Sequence, residues 1–395
     1  MARTVKDRVS AAAPAAGRGD WRSLVSRSTV VTLAVGWSAT IFFLTIGHEW
    51  VAHPPNAGVA VACFVLILAA IMVAAFGVVR HAEHLAEKVG EPFGTLILTL
   101  TVVVIEVVLI ASIMLGPGGS ATIGRDSLFA VMMIIVNGVL GLTILLGAIR
   151  FGPQRYNMEG ASIYLAMIAA LSLCTLVLPS FLASTDDGSL VPLQSIGLAV
   201  LSAALYAFFL YMQTGTDRAL YLQPLPELAL VARTPAPATR DKVSARELTL
   251  RTVLLIATVL PIILLAHDLG ILVDLGIGLT GAPVALGGVI IAIIVFTPEA
   301  ITAVRAALAD QNQRALNLGL GAFVSTVGLT IPAILVIGLV TGQPVILGES
   351  PANMVLICIT LVMTLITYFA PRTTAVHGAV HLMLFGVYAI LLFAP

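Results

Sequence analysis

The chain has 395 residues, of which 59% are apolar and only 10% are charged, and its formal net charge at pH 7 is zero. In a soluble globular domain about a quarter of the residues are charged. The composition therefore excludes an ordinary soluble protein and indicates an all-α polytopic membrane protein. Its surroundings are expected to be the lipid bilayer, and no nucleic-acid partner is expected.

The N-terminal segment, 1–28, is polar and carries six Lys and Arg residues. An alanine-rich patch at 11–16 precedes the first apolar run, whereas a signal-peptidase site would follow it. We therefore predict a cytoplasmic basic tail at 1–28. We expect that signal peptidase does not cleave the first transmembrane helix, which with its outer loop should occupy 29–56.

Apolar runs long enough to cross a bilayer recur along the rest of the chain, since a helical span needs about 20 residues. They predict about eleven transmembrane helices. The expected spans are 29–47, 57–79, 93–115, 127–149, 158–178, 191–213, 248–267, 284–305, 315–341, 352–370 and 375–394.

The basic residues predict the orientation of these spans, because Lys and Arg are concentrated in cytoplasmic loops. With eleven spans and a cytoplasmic N-terminus, 19 of the 20 Lys and Arg residues fall inside, and only Arg125 falls outside. The sequence thus predicts a multi-pass protein of the inner membrane with its N-terminus in the cytoplasm and its C-terminus outside.

The two halves of the chain repeat one arrangement. Glu106 lies in the third predicted span and Glu299 in the eighth, and each is followed by a span that contains Gly-Leu-Thr, at Gly141 and at Gly328. Five-helix units with an odd number of crossings insert in opposite senses, as in the inverted repeats of many secondary transporters. The predicted units are helix 1, a first five-helix repeat at 57–213, a cytoplasmic linker at 214–247 and a second five-helix repeat at 248–395.

Glu106 and Glu299 are the only carboxylates well inside the predicted spans, and no Lys or Arg accompanies them there. A charge in the bilayer interior is costly and marks a functional site by default. A structural role would require a compensating cation within the membrane. Since His377 and His381 are the only candidates for it, we predict that the partner is a mobile cation or a proton.

Oxygen atoms near the two glutamates suit a hard cation, which prefers carboxylate, amide, hydroxyl and carbonyl ligands. Pro298 lacks an N–H, so the carbonyl of Ile294 has no helical partner and is free to bind an ion. Serine and threonine in membrane helices often bond only to their own turn, which is the alternative for each hydroxyl. The predicted further ligands are Asn137, Thr297, Ser325, Thr326 and the carbonyl of Ile294.

A polar run at 80–91 follows the second span and predicts a short amphipathic helix at the cytoplasmic mouth. Two interpretations remain open: a solvated collar, or a segment that collects ions or senses pH. The residues concerned are His81, Glu83, His84 and Glu87.

Four stretches together resemble the ChaA-type bacterial calcium/proton antiporters of the cation/Ca²⁺ exchanger superfamily. They are Gly90-Glu-Pro-Phe-Gly94, the Glu106 helix, Phe296-Thr-Pro-Glu299-Ala and the segment from Gly319 to Pro332. The resemblance extends from about residue 57 onward. It implies that the two repeat glutamates bind cation and proton in turn. It also implies that polar residues of helices 4 and 9, here Asn137 and the Ser325-Thr326 pair, complete the site.

The sequence hypothesis is therefore a secondary active antiporter that exports Ca²⁺ in exchange for H⁺ by alternating access. A Na⁺(K⁺)/H⁺ antiporter on the same fold is the alternative, and a channel or an intramembrane enzyme is more remote. No enzymatic activity and no cofactor are expected, only the transported Ca²⁺ (or Na⁺ or K⁺) and H⁺. A homo-oligomer is compatible with this hypothesis.

Overall fold

The protein is described by a computed structural model that covers residues 26–90, 93–116, 119–223 and 245–394. In these ranges it contains eleven helices that are long and apolar enough to cross a membrane. The prediction of an all-α polytopic membrane protein with about eleven spans is confirmed. Most of the predicted N-terminal tail, most of the central linker and residues 91–92 lie outside the described ranges.

The helices are numbered here in chain order. They are α1 Arg27–Ala52, α2 Ala57–Val89, α3 Phe93–Met114, α4 Ile123–Phe151, α5 Met158–Phe181, α6 Pro192–Thr214, α7 Ala245–Thr280, α8 Leu286–Leu308, α9 Asn312–Thr341, α10 Pro351–Phe369 and α11 Ala375–Phe393.

Local sequence signals explain several of the helix ends. The side chain of Asn56 accepts a hydrogen bond from the Val59 N–H at 2.9 Å, which caps the start of α2. Gly152 follows α4 with a positive φ of 76°, a conformation that glycine adopts without strain. A helix satisfies its backbone groups internally, which a chain in lipid requires.

Helix α7 is longer than predicted. The expected span ended at 267, but the helix continues through Pro261 and Gly270 to Thr280. The helix packs on α3 along this part, and a Cβ at Gly270 would lie 3.4 Å from the Ser112 carbonyl oxygen, in ordinary van der Waals contact. Asp268, which directly follows the expected end of this span, therefore lies within a helix and is 5% exposed.

The polar run at 80–91 does not form a separate helix. It supplies the last turns of α2, which continues without a break to Val89. Lys88 near its end lies 3.6 Å from Glu247 at the start of α7. The packing of α2 on α7 supports this extension, and the ion pair adds little to it because Lys88 is exposed.

The connections between helices gather at two ends of the bundle, as expected for helices that cross it in alternating directions. At one end, named the basic end here, Gln154 after α4 exchanges two backbone hydrogen bonds of 3.0 Å with Thr373 before α11. Asn317 of α9 also donates to the carbonyl of Tyr221 after α6 at 2.6 Å there. At the opposite end, the segment before α10 bonds to the connections that precede α4 and α6.

The last helix of each half packs on the third helix of the other half. Helix α6 packs on α9, and α11 packs on α4 in the corresponding way. The glycines of the repeated tripeptide lie at these two contacts. A Cβ on Gly328 would lie 2.8 Å from Cβ of Tyr206 in α6, and a Cβ on Gly141 would lie 2.9 Å from Cβ of His381 in α11. Both glycines thus permit close helix crossings, which agrees with two related five-helix units.

Candidate functional site

Glu106 lies in α3 and its side chain is fully buried, with 0% exposure. Its Oε2 accepts a hydrogen bond of 2.9 Å from Oγ1 of Thr330 in α9. Its Oε1 is sealed from solvent and has no hydrogen-bond partner among the described residues. None of the ion pairs formed by the described Lys and Arg residues involves Glu106.

Glu299 lies in α8 and is half-buried. Its Oε2 is inaccessible and has no hydrogen-bond partner among the residues that the structure describes. The carboxyl group lies within electrostatic range of Glu106 and of Glu83. Two carboxyl groups, each with an unpartnered oxygen, therefore lie near one another in the interior of the bundle.

Helix α9 presents hydroxyl groups to this pair. Thr326 lies one turn before Thr330 on the same face, and its Oγ1 is buried without a partner within the described ranges. Ser325 lines the same cavity as Glu299, although its hydroxyl donates to the Ala322 carbonyl at 2.7 Å. The structure thus brings Glu106, Glu299, Ser325 and Thr326 close to one another, and their role as ligands remains a prediction.

A cavity of about 290 Å³ connects Glu299 with the basic end of the bundle. It is lined by Glu299 and by polar side chains of α2, α3, α5, α6, α8 and α9. Its polar and charged lining residues are Glu83, Thr99, Tyr164, Tyr206, Gln213, Glu299, Thr302, Arg314, Asn317 and Ser325. An ion in this cavity has a polar route to Glu299.

Asn137 lies elsewhere. Its amide nitrogen donates to Oγ1 of Thr360 in α10 at 2.8 Å, and its Oδ1 lies 3.0 Å from Nδ1 of His381 in α11. These contacts satisfy the amide on the side of α4 that faces α10 and α11. The structure therefore does not bring Asn137 to the glutamates, contrary to the expectation from sequence.

Thr297 also differs from expectation, because its hydroxyl donates to the carbonyl of Ile293 at 2.5 Å on an exposed face of α8. This is the local bond that serine and threonine commonly form in membrane helices. Ile294 is fully buried, and Pro298 lies within an unbroken helix. The carbonyl of Ile294 thus lacks the usual donor four residues later, and its role as a ligand remains a prediction.

The four residues predicted near the mouth occupy different environments. Glu83 lines the cavity, His84 is exposed, and His81 is buried at 4% exposure with an Nε2 that has no partner in the described chain. The solvated-collar interpretation does not fit His81, because the packing of α2 on α7 encloses it, and the ion-collecting or pH-sensing interpretation remains a prediction. The side chain of Glu87 lies outside the described part of the structure.

Several cavity residues were not predicted from the sequence. Gln213 of α6 donates to the hydroxyl of Tyr164 at 2.7 Å, and Arg314 and Asn317 line the entrance from α9. Polar residues at the ends of spans are common at membrane boundaries. Only the packing of α6 against α9 distinguishes these from ordinary boundary residues.

The described residues contain no group of three or more His, Cys, Asp or Glu side chains arranged to hold a metal ion. A cation between the two glutamates would therefore take its remaining oxygens from hydroxyl groups, backbone carbonyls and water. Such a set suits a hard cation that is bound transiently. Two carboxylates can also exchange that cation for protons at the same oxygens.

Known proteins are similar to this chain in sequence and in architecture. The chain is 35% identical to y4hA of Sinorhizobium fredii over 362 residues, which cover 91% of this chain and 96% of y4hA. It is 33% identical to the sodium-potassium/proton antiporter ChaA of Escherichia coli (strain K12) over 336 residues, which cover 85% of this chain and 90% of ChaA.

The structure of native YfkE matches with a TM-score of 0.71 and 16% identity, covering 93% of this chain and all of that one, which shows a common fold. A family model described as sodium/calcium exchanger protein matches residues 59–215 and 250–394. The chain belongs to the sodium/calcium exchanger protein family.

Proposed function

We propose that the protein is a secondary active cation/proton antiporter that exchanges Ca²⁺ for H⁺ by alternating access. The single observation that carries this proposal is the pair of interior carboxyl groups, Glu106 and Glu299, each with a solvent-inaccessible oxygen that has no partner among the described residues. Burying a carboxylate oxygen without a donor is unfavourable unless a cation or a proton binds it.

Proton and cation compete for the same oxygens in this mechanism. Ionised Glu106 and Glu299 together balance the charge of one dication, and their protonated forms are neutral and cross a low-dielectric barrier at lower cost. Thr330 donates to Glu106, while Thr326, Ser325 and the carbonyl of Ile294 supply further oxygens. Occupancy by one ion thus excludes the other, which couples the two fluxes.

The position of the cavity supports the proposal that this structure is a state of the transport cycle that is open toward the basic end. Glu299 faces it, whereas Glu106 is sealed. Ions arrive and leave through this cavity in one state, and rearrangement of the two five-helix units would expose the site to the other end. Glu83 lines the route and favours cations there by its charge.

A Na⁺(K⁺)/H⁺ antiporter is the second candidate. It is supported by the similarity to ChaA, whose name describes a sodium-potassium/proton antiporter. The presence of two carboxylates favours a divalent ion, because one monovalent cation would leave a net negative charge in the site.

Transport assays distinguish the two candidates. Vesicles of known orientation, loaded to hold a pH gradient, are given Ca²⁺, Na⁺ or K⁺ in turn, and the collapse of the gradient is followed. We expect Ca²⁺ to collapse the gradient at the lowest concentration. A response to Na⁺ or K⁺ alone would select the second candidate, and no response to any of the three cations would contradict antiport itself.

We propose that the protein is a multi-pass protein of the inner membrane and that its basic end lies in the cytoplasm, because Lys and Arg are concentrated in cytoplasmic loops. A reporter fused within residues 225–240 should then be cytoplasmic, and a reporter at the C-terminus should lie outside. Detection of both reporters on one side would contradict this orientation.

A further inference from the structure

At the end of the bundle opposite the cavity, a second buried group of charges joins the start of α4 to the segment before α10. Nε of Arg125 lies 3.1 Å from Oδ1 of Asp126 and 3.9 Å from Oε2 of Glu349. Both acidic residues are buried, with 8% and 4% exposure. One guanidinium thus faces two carboxyl groups, which leaves one negative charge uncompensated when both are ionised.

The two carboxyl groups differ in the hydrogen bonds that they accept. Both oxygens of Asp126 accept hydrogen bonds, from Thr122 at 2.8 Å and from Arg125 at 3.1 Å. Glu349 accepts one side-chain hydrogen bond, from Nδ2 of Asn353 to Oε2 at 2.9 Å, and the backbone of Ser350 makes a smaller contribution. Its Oε1 is sealed from solvent without a partner among the described residues. Protonation therefore stabilises Glu349 more than it stabilises Asp126.

The electrostatic surroundings agree with this assignment. Burial raises the pKa of Glu349 to about 7, against the opposing effects of the Asn353 hydrogen bond and the Arg125 charge. The titratable and charged groups that face it are Arg125 and Asp126 of α4 and Tyr388 of α11. The contacts from α5 are a backbone carbonyl and a serine hydroxyl, which do not titrate in this range.

Glu349 ends a short strap, residues 346–349, that joins the connections before α4 and α6 to helix α5. Its backbone N–H groups donate to carbonyls of Ala121 at 3.0 Å, Gly188 at 2.9 Å and Leu176 at 2.9 Å. A cavity of about 270 Å³ lies beside the charge cluster and is lined by Arg125, Asp126 and Asn353 among others. The strap thus closes this end of the bundle, next to a space in which water can approach.

We propose that Glu349, set between Arg125 and Asp126, is a proton-binding site separate from the glutamate pair, and that the bound proton keeps this end of the bundle closed. With the proton bound, the cluster is neutral and the strap stays buried. Without it, the uncompensated charge favours hydration. The cluster becomes hydrated when the strap moves away from the segments to which it is hydrogen-bonded.

The direction of the pH effect follows from the two states. Glu349 binds a proton more tightly in the closed state than in an open state, where its pKa returns to the ordinary value near 4.5. The closed state is therefore favoured at acidic pH and loses stability as the pH rises toward and through 7.

Cysteine labelling tests this proposal without any transported ion, so its outcome is independent of the proposed antiport. In a background with Cys63→Ala, Cys174→Ala and Cys358→Ala, Leu347→Cys places a thiol on the strap, at a position with 0% exposure. Gln343→Cys, at an exposed position nearby, corrects for the greater intrinsic reactivity of thiols at high pH.

We expect the ratio of the two labelling rates with an impermeant maleimide to rise about tenfold or more between about pH 5.5 and about pH 8, since each pKa unit corresponds to a tenfold change in proton affinity. Glu349→Gln should hold the ratio at its acidic value, and Glu349→Asp should restore a titration. Asp186→Asn, an exposed carboxyl group at the same end, should behave as the wild type.

Asp126→Asn provides a second arm that keeps Glu349 in place. Without the competing carboxylate, Arg125 acts on Glu349 alone, and the midpoint of the labelling ratio should move to lower pH. A wild-type ratio that does not change with pH would overturn the proposal. A wild-type titration in Glu349→Gln, or an unshifted midpoint in Asp126→Asn, would do the same.

Discussion

Glu106 and Glu299 hold matching positions in the two halves of the chain, yet their surroundings differ. Glu106 is sealed and accepts a hydrogen bond from Thr330 of α9, whereas Glu299 borders the cavity at the basic end. The residue of α4 that matches Thr330 is Thr143, and its hydroxyl donates to the carbonyl of Leu140 in its own helix. The repeated sequence thus supports two different environments.

This difference agrees with a transporter in one state of its cycle. A site that is accessible from both ends would allow uncoupled leakage, so one carboxylate must be closed off while the other meets water. In the opposite state the two environments should be exchanged, with Glu106 facing its own cavity and Glu299 sealed. The asymmetry between the halves therefore predicts distinct effects for matched substitutions.

The largest effect is expected from the loss of either carboxylate. Glu106→Gln and Glu299→Gln keep the size of the side chain and remove its charge, so each should abolish exchange of cation for protons. The double variant should be no worse than either single one, because residues that act as a unit cannot be lost twice. ΔpH-coupled flux in vesicles with equal amounts of protein measures this. Robust flux in either single variant would remove the assignment of that glutamate.

The second-largest effect is expected from Thr330→Val, and it is compared with that of the same change at Thr143, the matching residue in the other half. Thr330→Val removes the donor to ionised Glu106, and hydrogen bonds to charged groups contribute about 1.5–3 kcal/mol, so the apparent KM for the cation should rise about tenfold or more. Thr143→Val is the control, because its hydroxyl bonds only within α4. Equal KM values for the two variants would contradict the asymmetry.

A smaller effect is expected from Pro298→Ala. The added N–H would bond to the carbonyl of Ile294 and withdraw it from any ion, so cation affinity should fall in a protein that still inserts. Pro261→Ala in α7, a helix without a glutamate of the pair, is the matched control. If the apparent KM is unchanged in Pro298→Ala, the Ile294 carbonyl is not a ligand.

The smallest effect concerns Glu83. Its charge lies in the cavity and near Glu299, so Glu83→Gln should weaken the attraction of cations and change the pH dependence of transport, while the maximal rate stays the same. Glu159→Gln, an exposed carboxylate at the start of α5, should have no such effect. A collapse of the maximal rate in Glu83→Gln would place this residue in the site itself.

The fold was largely predictable because the bilayer imposes simple rules. Span length, the distribution of Lys and Arg and the rarity of intramembrane carboxylates led to eleven helices and to Glu106 and Glu299. The end of α7 was not predictable in this way, since glycine and proline suggest a break where the helix continues and packs on α3.

The polar residues around the site were predicted less well because their direction depends on helix rotation. Asn137 was expected among the ligands, but its partners are Thr360 and His381, and no sequence pattern distinguishes these two faces of α4. The contact of Thr330 with Glu106 joins residues 224 positions apart and follows from the packing of α9 on α3. Such contacts require the tertiary structure.

Proton release on cation binding tests the central claim most directly, namely that cation and proton compete for the two carboxylates. The purified protein in weakly buffered detergent solution is titrated with Ca²⁺, and the released protons are followed with a pH-sensitive dye. The account predicts release in the wild type and its loss in both Glu106→Gln and Glu299→Gln, with Glu159→Gln unchanged. Ca²⁺ binding without proton release in the wild type, or undiminished release in either glutamine variant, would contradict it.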